Sequence, residues 1–448
     1  MKYVRRIVKA IVLLAATDFL LVQGLVQRYA GEIVGNVCSL TLLVAFVYIN
    51  MRPVPQTAPT KQILQLASGN ELLQLFLITA TANVFLVVWG TPFSELGGMT
   101  LLFWIIAVVP IVILEAILFW NGMIRVYITS VQLGIKHRIL AAVCGWIPGV
   151  NIWYLLKIIR ITAAEVEFET EKWELDEVRA ESALCATKYP ILLVHGVFFR
   201  DFRYLNYWGR IPKALKRNGG AVYYGQQQSA SSVEDAGGEL AARIRALVEE
   251  TGCEKVNIIA HSKGGLDARW AITHEHCAPM VASLTTINTP HRGCIFAEYL
   301  LNKLPESVQD KTADTYNAAL KVLGDTDPDF NAAVGDLTES VCFVRNETTP
   351  DAPEVLYESV MSYCKKARHG KFPLNLSYPL VKHFDGQNDG LVSVDSARWG
   401  SKFTLLEPEG TRGITHGDVI DLNRENIPGF DVREFYVNLV ASLKERGY

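Results

Sequence analysis

A serine flanked by small residues is the feature of this sequence best suited to covalent chemistry. Ser262 lies in the string Ala-His-Ser-Lys-Gly-Gly at residues 260–265, after an apolar run and before a stretch with helical spacing. At such a turn from strand to helix, a serine projects its hydroxyl above the sheet if small residues flank it. Ala260 replaces the first glycine of this nucleophile-elbow motif and still satisfies the steric requirement, and His261 and Gly264 complete the motif. The string predicts a nucleophilic serine.

Two backbone N–H groups are candidates for stabilising the negative charge that develops on a carbonyl oxygen attacked by this serine. The N–H of Lys263 begins the predicted helix, where the helix dipole is positive. The N–H of Val197 follows the apolar run 191–194, and Gly196 before it allows close approach of the backbone. Taken alone, the pair His195-Gly196 is more typical of a plain turn at the end of a strand.

A serine nucleophile of this kind needs an acid and then a histidine later in the chain. The candidates considered are His291, His369, His383, His416, Asp385, Asp389 and Asp395.

His416 and Asp389 fit the required places best. His416 follows the apolar run 403–406 and is therefore expected on a loop after a strand. Asp389 follows the strand-like run 378–384 and has turn residues around it. We expect Asp389 to orient His416, and His416 to deprotonate Ser262 and then protonate the leaving group. The other acids are expected in solvated turns.

The elements that must position these groups alternate along the C-terminal part of the chain. Apolar runs at 191–194, 221–224, 255–260 and 281–287 predict strands, and helical spacing lies between them. Strands that alternate with helices predict an α/β domain with a mostly parallel sheet and helices on both faces. About 260 residues are ample to bury such a core.

Residues 294–374 lack the pattern of a core sheet and are predicted to form an insertion. This insertion is a candidate lid over the site, since an acyl chain needs an apolar channel; a simple helical insertion is the alternative. The string His-Glu-His-Cys at 274–277 resembles a metal-binding sequence. Because no second pair of ligands accompanies it, we expect the polar end of a helix there.

Most of the apolar excess lies before about residue 160. Runs at 7–26, 33–51, 72–90 and 99–120 each approach the ~20 apolar residues that cross a bilayer as a helix. Four such runs predict an all-α transmembrane bundle. A fifth run at 139–159 has Gly-Trp-Ile-Pro-Gly at its centre and basic residues on both flanks, so we expect a re-entrant or interfacial segment.

The distribution of Lys and Arg around these runs predicts a cytoplasmic N-terminus and places everything after residue 120 in the cytoplasm. Two acids, Asp18 and Glu115, lie within the runs. An ion or proton site is one interpretation. An interhelical hydrogen bond or a neutral buried acid is the preferred one, because we find no matching basic partner in the runs.

The chain has 448 residues, of which 50% are hydrophobic and 20% are charged, and its mean hydropathy is +0.18. This composition excludes a disordered or collagen-like chain, and a net charge of −3 gives no reason to expect a nucleic-acid partner. Acidic residues predict a solvated linker at 161–188, between a transmembrane helical region at 1–160 and a domain at 189–448. Eight cysteines are too few for a disulfide scaffold, and free thiols fit a cytoplasmic domain.

From residue 189 onward the sequence resembles the bacterial true lipases, which are triacylglycerol lipases of the α/β-hydrolase superfamily. The resemblance rests on Tyr-Pro-Ile-Leu-Leu-Val-His-Gly at 189–196, Lys-Val-Asn-Ile-Ile-Ala-His-Ser-Lys-Gly-Gly at 255–265, Asn-Thr-Pro-His-Arg-Gly at 288–293 and Asn-Asp-Gly-Leu-Val at 388–392. It implies an α/β-hydrolase fold, with Ser262 as nucleophile, Asp389 as acid and His416 as base. It also implies that Val197 and Lys263 donate to the oxyanion. It does not cover residues 1–188.

The same resemblance implies a structural Ca²⁺ near the catalytic histidine. Asp418, two residues after His416, is similar to one ligand, but we find no second aspartate ahead of Asp389 to match another. A hard cation needs several oxygen ligands, so we predict that the protein needs no cofactor.

Together these features predict a membrane-anchored serine ester hydrolase that acts on acylglycerols or related lipid esters through an acyl-enzyme on Ser262. Phospholipid hydrolysis or acyl transfer by the same residues is a close alternative. A non-catalytic protein that binds a lipid or a partner is an alternative of another class, and a transport or sensing bundle with an accessory hydrolase is a third.

Overall fold

The computed structural model describes residues 2–55, 58–90, 101–197, 206–322 and 325–448. The chain divides into two compact units, Met1–Leu175 and Asp176–Tyr448. The described part of the first unit is helical, and the second unit contains a β-sheet with helices on both of its faces.

Helices α1 to α7 form the described part of the first unit. They are α1 (Lys2–Thr17), α2 (Phe19–Ala30), α3 (Glu32–Met51), α4 (Lys61–Gly90), α5 (Leu101–Thr129), α6 (Gly134–Cys144) and α7 (Val150–Val178), whose last residues belong to the second unit.

The first unit buries an apolar interface and leaves other apolar surface exposed. Leu13, Leu72 and Leu118 are fully buried where α1, α4 and α5 pack together. Elsewhere large apolar side chains are exposed, such as Val44 on α3 and Ile113 on α5. Such surface is unfavourable in water and is typical of helices that face lipid chains.

Three helical segments of the described chain are long and apolar enough to cross a membrane: Glu32–Met51, Lys61–Val87 and Ile105–Thr129. The pair α1 and α2 passes the same test jointly, although the two helices are bent by 80°, and it would give a fourth span if counted as one. The predicted run at 7–26 is therefore not one straight helix. Asp18 interrupts it with non-helical backbone angles (φ −92°, ψ 21°).

The region between the spans and the sheet differs in part from the prediction. The break expected at residues 145–149 lies between α6 and α7, and its re-entrant or interfacial position stays a prediction. The predicted acidic linker is helical as far as Val178, because α7 continues through it. The expectation of a solvated arm is wrong at Glu165, which is buried and accepts a hydrogen bond from the N–H of Val131 (2.7 Å).

The second unit alternates strands with helices. Its strands are β1 (Ile191–Val194), β2 (Val222–Tyr224), β3 (Val256–His261), β4 (Val281–Ile287), β5 (Leu356–Ser362) and β6 (Lys402–Leu406). Its helices after α7 are α8 (Ile211–Arg217), α9 (Val233–Thr251), α10 (Lys263–Thr273), α11 (Ile295–Lys303), α12 (Glu306–Val322), α13 (Phe330–Gly335), α14 (Glu339–Thr348), α15 (Leu374–Asp385), α16 (Val394–Ala397) and α17 (Val432–Glu445).

The six strands form one parallel sheet in the order β2-β1-β3-β4-β5-β6. In the register of β1 with β3, Val194 pairs with Ala260, and in that of β3 with β4, His261 pairs with Ile287. The carboxyl ends of β1, β3 and β4 therefore lie side by side. This arrangement brings the loops after three neighbouring strands to one edge of the sheet.

Each face of the sheet buries its own apolar core, because successive side chains of a strand point to opposite faces. Ile191 and Leu193 of β1 pack with side chains of α8 and α17, including Leu215 and Val437. Leu192 and its neighbours on that face pack instead with side chains of α9 and α10. The predicted sheet with helices on both faces is confirmed.

Two expectations about the sheet are wrong. The region 294–374 was expected to contain no core strand, yet β5 lies between β4 and β6. Its sequence Leu-Tyr-Glu-Ser-Val-Met-Ser is broken by polar residues, and Glu358 is accommodated by a bidentate ion pair with Arg446 (2.7 and 2.9 Å). The run 378–384, expected to be a strand, lies in helix α15, where Tyr378 and Val381 are buried at helical spacing.

The helices of the insertion therefore lie between β4 and β5, from Ile295 to Thr348. Asp325, after α12, accepts hydrogen bonds from the N–H and hydroxyl of Ser229 and the N–H of Ala230. These bonds attach the insertion to the loop between β2 and α9.

We expect Ile258→Ala to lower the free energy of unfolding by about 2–5 kcal/mol, because the fully buried Ile258 would leave a cavity in the sheet core. Val322→Ala is the matched control, since Val322 is 87% exposed and its loss is expected to cost less than about 0.5 kcal/mol. Chemical denaturation of the purified chain measures both. Equal effects of the two changes would show that Ile258 is not a core residue.

Candidate active site

Ser262 stands at a strained turn between β3 and α10. Its backbone has φ +56° and ψ −132°, a conformation that costs a non-glycine residue of the order of 1–3 kcal/mol. Its N–H donates to the carbonyl of Ile287 at the end of β4 (2.9 Å). The side chain is partly exposed, whereas the residues around it are buried. This is the geometry expected of a nucleophile elbow.

Two glycines make room for this turn. A Cβ on Gly264 would lie 2.3 Å from the carbonyl oxygen of His195, and a Cβ on Gly196 would lie 2.8 Å from the Cβ of Ser262. Real Cβ atoms do not approach other heavy atoms so closely. The turn after β1 and the elbow after β3 can therefore touch only because both positions lack a side chain.

Two of the residues predicted for catalysis, Asp389 and His416, are in direct hydrogen-bond contact. His416 Nδ1 and Asp389 Oδ2 lie 2.7 Å apart, and the N–H of His416 donates to the carbonyl of Asp389 (3.1 Å). Asp389 is fully buried. Its other oxygen, Oδ1, accepts from the N–H groups of Leu391 (2.9 Å) and Val392 (2.8 Å). The carboxylate is thus held by its own turn and aimed at the imidazole.

Asn288 is a residue of the site that the sequence reasoning missed. Its side-chain amide donates to Asp389 Oδ2 (2.5 Å) and to the hydroxyl of Ser362 (2.8 Å), and its Oδ1 accepts from the N–H of Ser362 (3.1 Å). It adopts a positive φ of +47° directly after β4. Asn288 lies in one of the strings that carried the resemblance, so its position was a usable signal.

His261 lies at the centre of a second hydrogen-bond network, which was not predicted from the sequence. Its Nε2 lies 3.1 Å from the carbonyl of His416, and its Nδ1 lies 2.6 Å from the hydroxyl of Tyr207, which also accepts from the N–H of Gly196 (3.0 Å). Complete burial, with a smaller effect of the His416 charge, lowers the pKa of His261 well below its usual value. A neutral imidazole with its proton on Nε2 satisfies every one of these contacts.

The link between nucleophile and base is indirect in this structure. Among the residues that the structure describes, no hydrogen bond joins the Ser262 hydroxyl to His416. Ser262 follows His261, whose ring lies 4.5 Å from that of His416 between centroids. In ligand-free active sites such bonds are often long and tighten when substrate binds.

The two predicted oxyanion donors follow neighbouring strands. In the described part of the chain, the N–H groups of Lys263 and Val197 donate to no acceptor. The Lys263 side chain lies fully buried, with its Nζ bonded to Asp267 (2.7 Å) and to the carbonyl of Ser232 (3.3 Å). Burial raises the pKa of Asp267 to about 6. The side chain of Lys263 thus anchors α10, and only its backbone faces the site.

The insertion contacts Val197, in the loop after β1 that is expected to supply an oxyanion donor (the expected oxyanion loop). Val197 is buried in an apolar cluster with Leu320 of α12, Ala333 of α13 and Ala230. Apolar residues of the insertion therefore pack beside Val197, whose N–H is the expected oxyanion donor.

Two of the residues singled out in the sequence, His195 and His291, are buried and make contacts that support the fold. His195 is buried, and its Nε2 lies 3.0 Å from the carbonyl of Gln227, whose amide donates back to the carbonyl of His195 (3.0 Å). His291 is buried against Thr286 and stacks on Trp399, and burial lowers its pKa well below the usual value.

In the described ranges, no hydrogen bond joins the remaining candidates for the acid and the base to the Asp389–His416 pair. His383 is exposed on α15 and not in a strand. Asp385 accepts from the first N–H groups of α11 and Asp395 is exposed, while His369 lies in a short turn bonded to Gly413.

The residues present do not fit a calcium ion at Asp418. Its Oδ2 accepts from the N–H (2.8 Å) and hydroxyl (2.6 Å) of Thr415 and pairs with Arg412 (3.0 Å). Within the described ranges, no group of three or more acidic, histidine or cysteine side chains could hold a metal. The string 274–277 ends α10, with His274 stacked on Trp270.

The parallel sheet, the elbow and the buried acid–histidine pair define an α/β-hydrolase fold. No family model matches the chain. The chain is 34% identical over 186 residues to a triacylglycerol lipase of Burkholderia plantarii, which covers 39% of this chain and 51% of the relative. It is 28% identical over 296 residues to a triacylglycerol lipase of Pseudomonas fragi, covering 58% of this chain and 98% of the relative. The resemblance to this lipase family is confirmed.

The chain spans only about half the length of the first of these relatives. Among solved structures, it is similar to the mature form of the lipase BlEst2 of Bacillus licheniformis. The sequence identity is 22%, the TM-score is 0.43, and the match covers 57% of this chain and 92% of that one.

We expect Gly264→Ala to destabilise the second unit by about 1–3 kcal/mol, because its Cβ would press on the backbone carbonyl of His195. Gly238→Ala on α9 is the matched control. No atom lies within 4 Å of its Cβ position, so this change should stabilise the helix by about 0.5–1 kcal/mol. Denaturation curves of the two variants should shift in opposite directions, and a neutral Gly264→Ala would contradict the close approach.

Proposed function

We propose that this protein is a membrane-anchored serine ester hydrolase whose substrates are lipid esters. The observation that carries the proposal is the buried Asp389–His416 pair at the edge of the sheet where Ser262 stands on its elbow. A serine hydroxyl is a weak nucleophile until a neighbouring base takes its proton, and a base oriented by a carboxylate meets that need.

The proposed reaction has two acyl transfers. Ser262 Oγ attacks the ester carbonyl while His416 Nε2 accepts the hydroxyl proton, and Asp389 stabilises the imidazolium through Nδ1. The oxyanion is stabilised by the N–H groups of Val197 and Lys263. His416 then protonates the leaving alcohol, which leaves an acyl-enzyme. Water, deprotonated by His416, attacks this ester and releases the carboxylic acid and free Ser262.

Lipid esters are the proposed substrate class for two reasons. The relatives described above, each of which matches part of this chain, are triacylglycerol lipases. Apolar side chains of the insertion also lie against the expected oxyanion loop, where an acyl chain would need apolar contacts. Movement of this insertion as a lid is part of the proposal. Acyl transfer to an alcohol in place of water would use the same residues.

Membrane attachment follows from the first unit. Its three apolar helices, or four spans with the bent pair, suit a bilayer, and attachment would hold the catalytic unit near lipid substrate. The basic residues after α5, such as Lys136 and Arg138, favour a cytoplasmic position for the catalytic unit.

Ser262→Ala is expected to abolish hydrolysis of p-nitrophenyl acyl esters and of emulsified triacylglycerol. Asp389→Asn should lower kcat by about 10⁴-fold, as loss of the orienting carboxylate does in other serine hydrolases. Asp395→Asn is the matched control, since this exposed acid lies apart from the imidazole and should leave kcat unchanged. Labelling by a fluorophosphonate provides a second readout. A Ser262→Ala variant as active as the wild type would refute the proposal.

Reporter fusions test the side of the membrane. Fused after Tyr448 and expressed in a bacterial host, green fluorescent protein should fluoresce and alkaline phosphatase should be inactive, because the latter folds only outside the cytoplasm. Fusions after residue 90 should show the reverse, since α4 is expected to end on the outer side. Active phosphatase after Tyr448 would place the catalytic unit outside.

A further inference from the structure

The first unit encloses a cluster of polar side chains among apolar helices. Asp18 lies at the break between α1 and α2, directly after Thr17; Asn83 lies on α4 and Glu115 on α5. The exposed fractions are 6% for Asp18, 3% for Asn83 and 7% for Glu115. The side chain of Asn83 contacts both Glu115 and Thr17, the residue before Asp18. Three structural elements thus bring two acids and an amide together away from water.

The cluster has fewer hydrogen-bond donors than acceptors, so some of its buried oxygen atoms accept no hydrogen bond in the described part of the chain. The Asn83 amide nitrogen donates to Glu115 Oε1 (2.9 Å) and to the Thr17 hydroxyl (3.1 Å). The hydroxyl of Thr17 in turn donates to the carbonyl of Leu14 (2.9 Å). Within the ranges that the structure describes, both carboxylate oxygens of Asp18, Oε2 of Glu115 and Oδ1 of Asn83 are buried and accept no hydrogen bond. All four oxygens can accept a hydrogen bond or bind a cation, and an ionised carboxylate or an amide oxygen cannot donate one.

Other buried acids of the same unit are treated differently. Glu71 pairs with Arg6 (2.6 Å) and Lys9 (2.9 Å). Glu165 accepts from the hydroxyl of Ser130 (2.5 Å) and from backbone N–H groups. Glu71 and Glu165 of this unit therefore have hydrogen-bond or ion-pair partners. The unpaired carboxylate oxygens of Asp18 and Glu115 differ from them in this respect.

In the described part of the first unit, no ion pair joins a basic side chain to Asp18 or Glu115. Arg125 on α5 bonds to Asn121 and to the carbonyl of Asn50. The remaining charged residues of α1 to α4 lie on the first or last turns or pair with Glu71; they are Lys2, Arg5, Arg6, Lys9, Arg28, Glu32 and Lys61.

We propose that Asp18, Asn83 and Glu115 form a binding site for one small monovalent positive charge, a proton or Na⁺, inside the first unit. An unpaired carboxylate in apolar surroundings is strongly unfavourable, and a bound positive charge removes that cost. Oxygen atoms of carboxylate and amide groups are the ligands that a hard cation prefers. A break in an apolar helix is where such sites occur in membrane bundles. The site is independent of Ser262.

Thermal unfolding of the full chain in nanodiscs, with choline or Na⁺ as the only cation, tests this proposal. Na⁺ at mildly alkaline pH, or acidification in choline, should raise Tm by about 2–4 °C when the ligand is tenfold above its Kd. A response to Na⁺ identifies the metal ion, and a response to acid alone identifies the proton. Asp18→Asn and Glu115→Gln, measured separately, should each remove most of that response, because neutral amides supply donors to the unpaired oxygens.

Glu165→Gln is the matched control, since it changes a buried acid whose oxygens already have partners. It should keep the full dependence of Tm on Na⁺ or pH. The absence of any dependence in the wild type would overturn the proposal, and so would an equal dependence in the wild type, Asp18→Asn and Glu115→Gln. Testing two separate amide variants keeps the experiment decisive if one of them does not fold. Ester hydrolysis, measured in parallel, separates failure of this site from failure of the catalytic proposal.

Discussion

The carboxylate of Asp389 is the group on which the geometry of the candidate active site depends. Backbone N–H groups of its own turn, the amide of Asn288 after β4 and the imidazole of His416 after β6 all meet on its two oxygens. A buried carboxylate with four donors is stable only when all of them are in place. The positions of three loops are therefore set by one group, and the sheet beneath them supplies the common edge.

The buried charged groups of the candidate active site differ from one cluster in the helical unit. Around the candidate active site, burial favours the neutral form of His261, Lys263 pairs with Asp267, and donors surround Asp389. In the helical unit Glu71 and Glu165 are satisfied as well, whereas in the described residues Asp18 and Glu115 keep unpaired oxygens. A fully satisfied network favours a rigid site, whereas an unsatisfied one favours exchange with a mobile ion.

Much of this arrangement could be predicted from local sequence. β1 and β4 were predicted at their observed bounds, because continuous apolar runs between turn residues are typical of buried parallel strands. Asp389 and His416 were identified from chain order and turn residues. β5 was missed because Glu358 is stabilised by Arg446 of the distant C-terminal end, which no local pattern reveals. Tyr207 acts through a long-range hydrogen bond and was missed for the same reason. Asn288 also acts at long range, but its place in a string shared with the lipases was a signal that could have been used.

The burial of Val197 against Leu320 and Ala333 has a consequence for protein engineering. For the proposed lipid ester hydrolase, exchanging the insertion is an obvious way to change which acyl chains are accepted. In this protein such an exchange would also remove two side chains that support the expected oxyanion loop. A donor insertion must therefore supply apolar groups of similar size at these two positions, or a gain in substrate range will be accompanied by a loss of turnover.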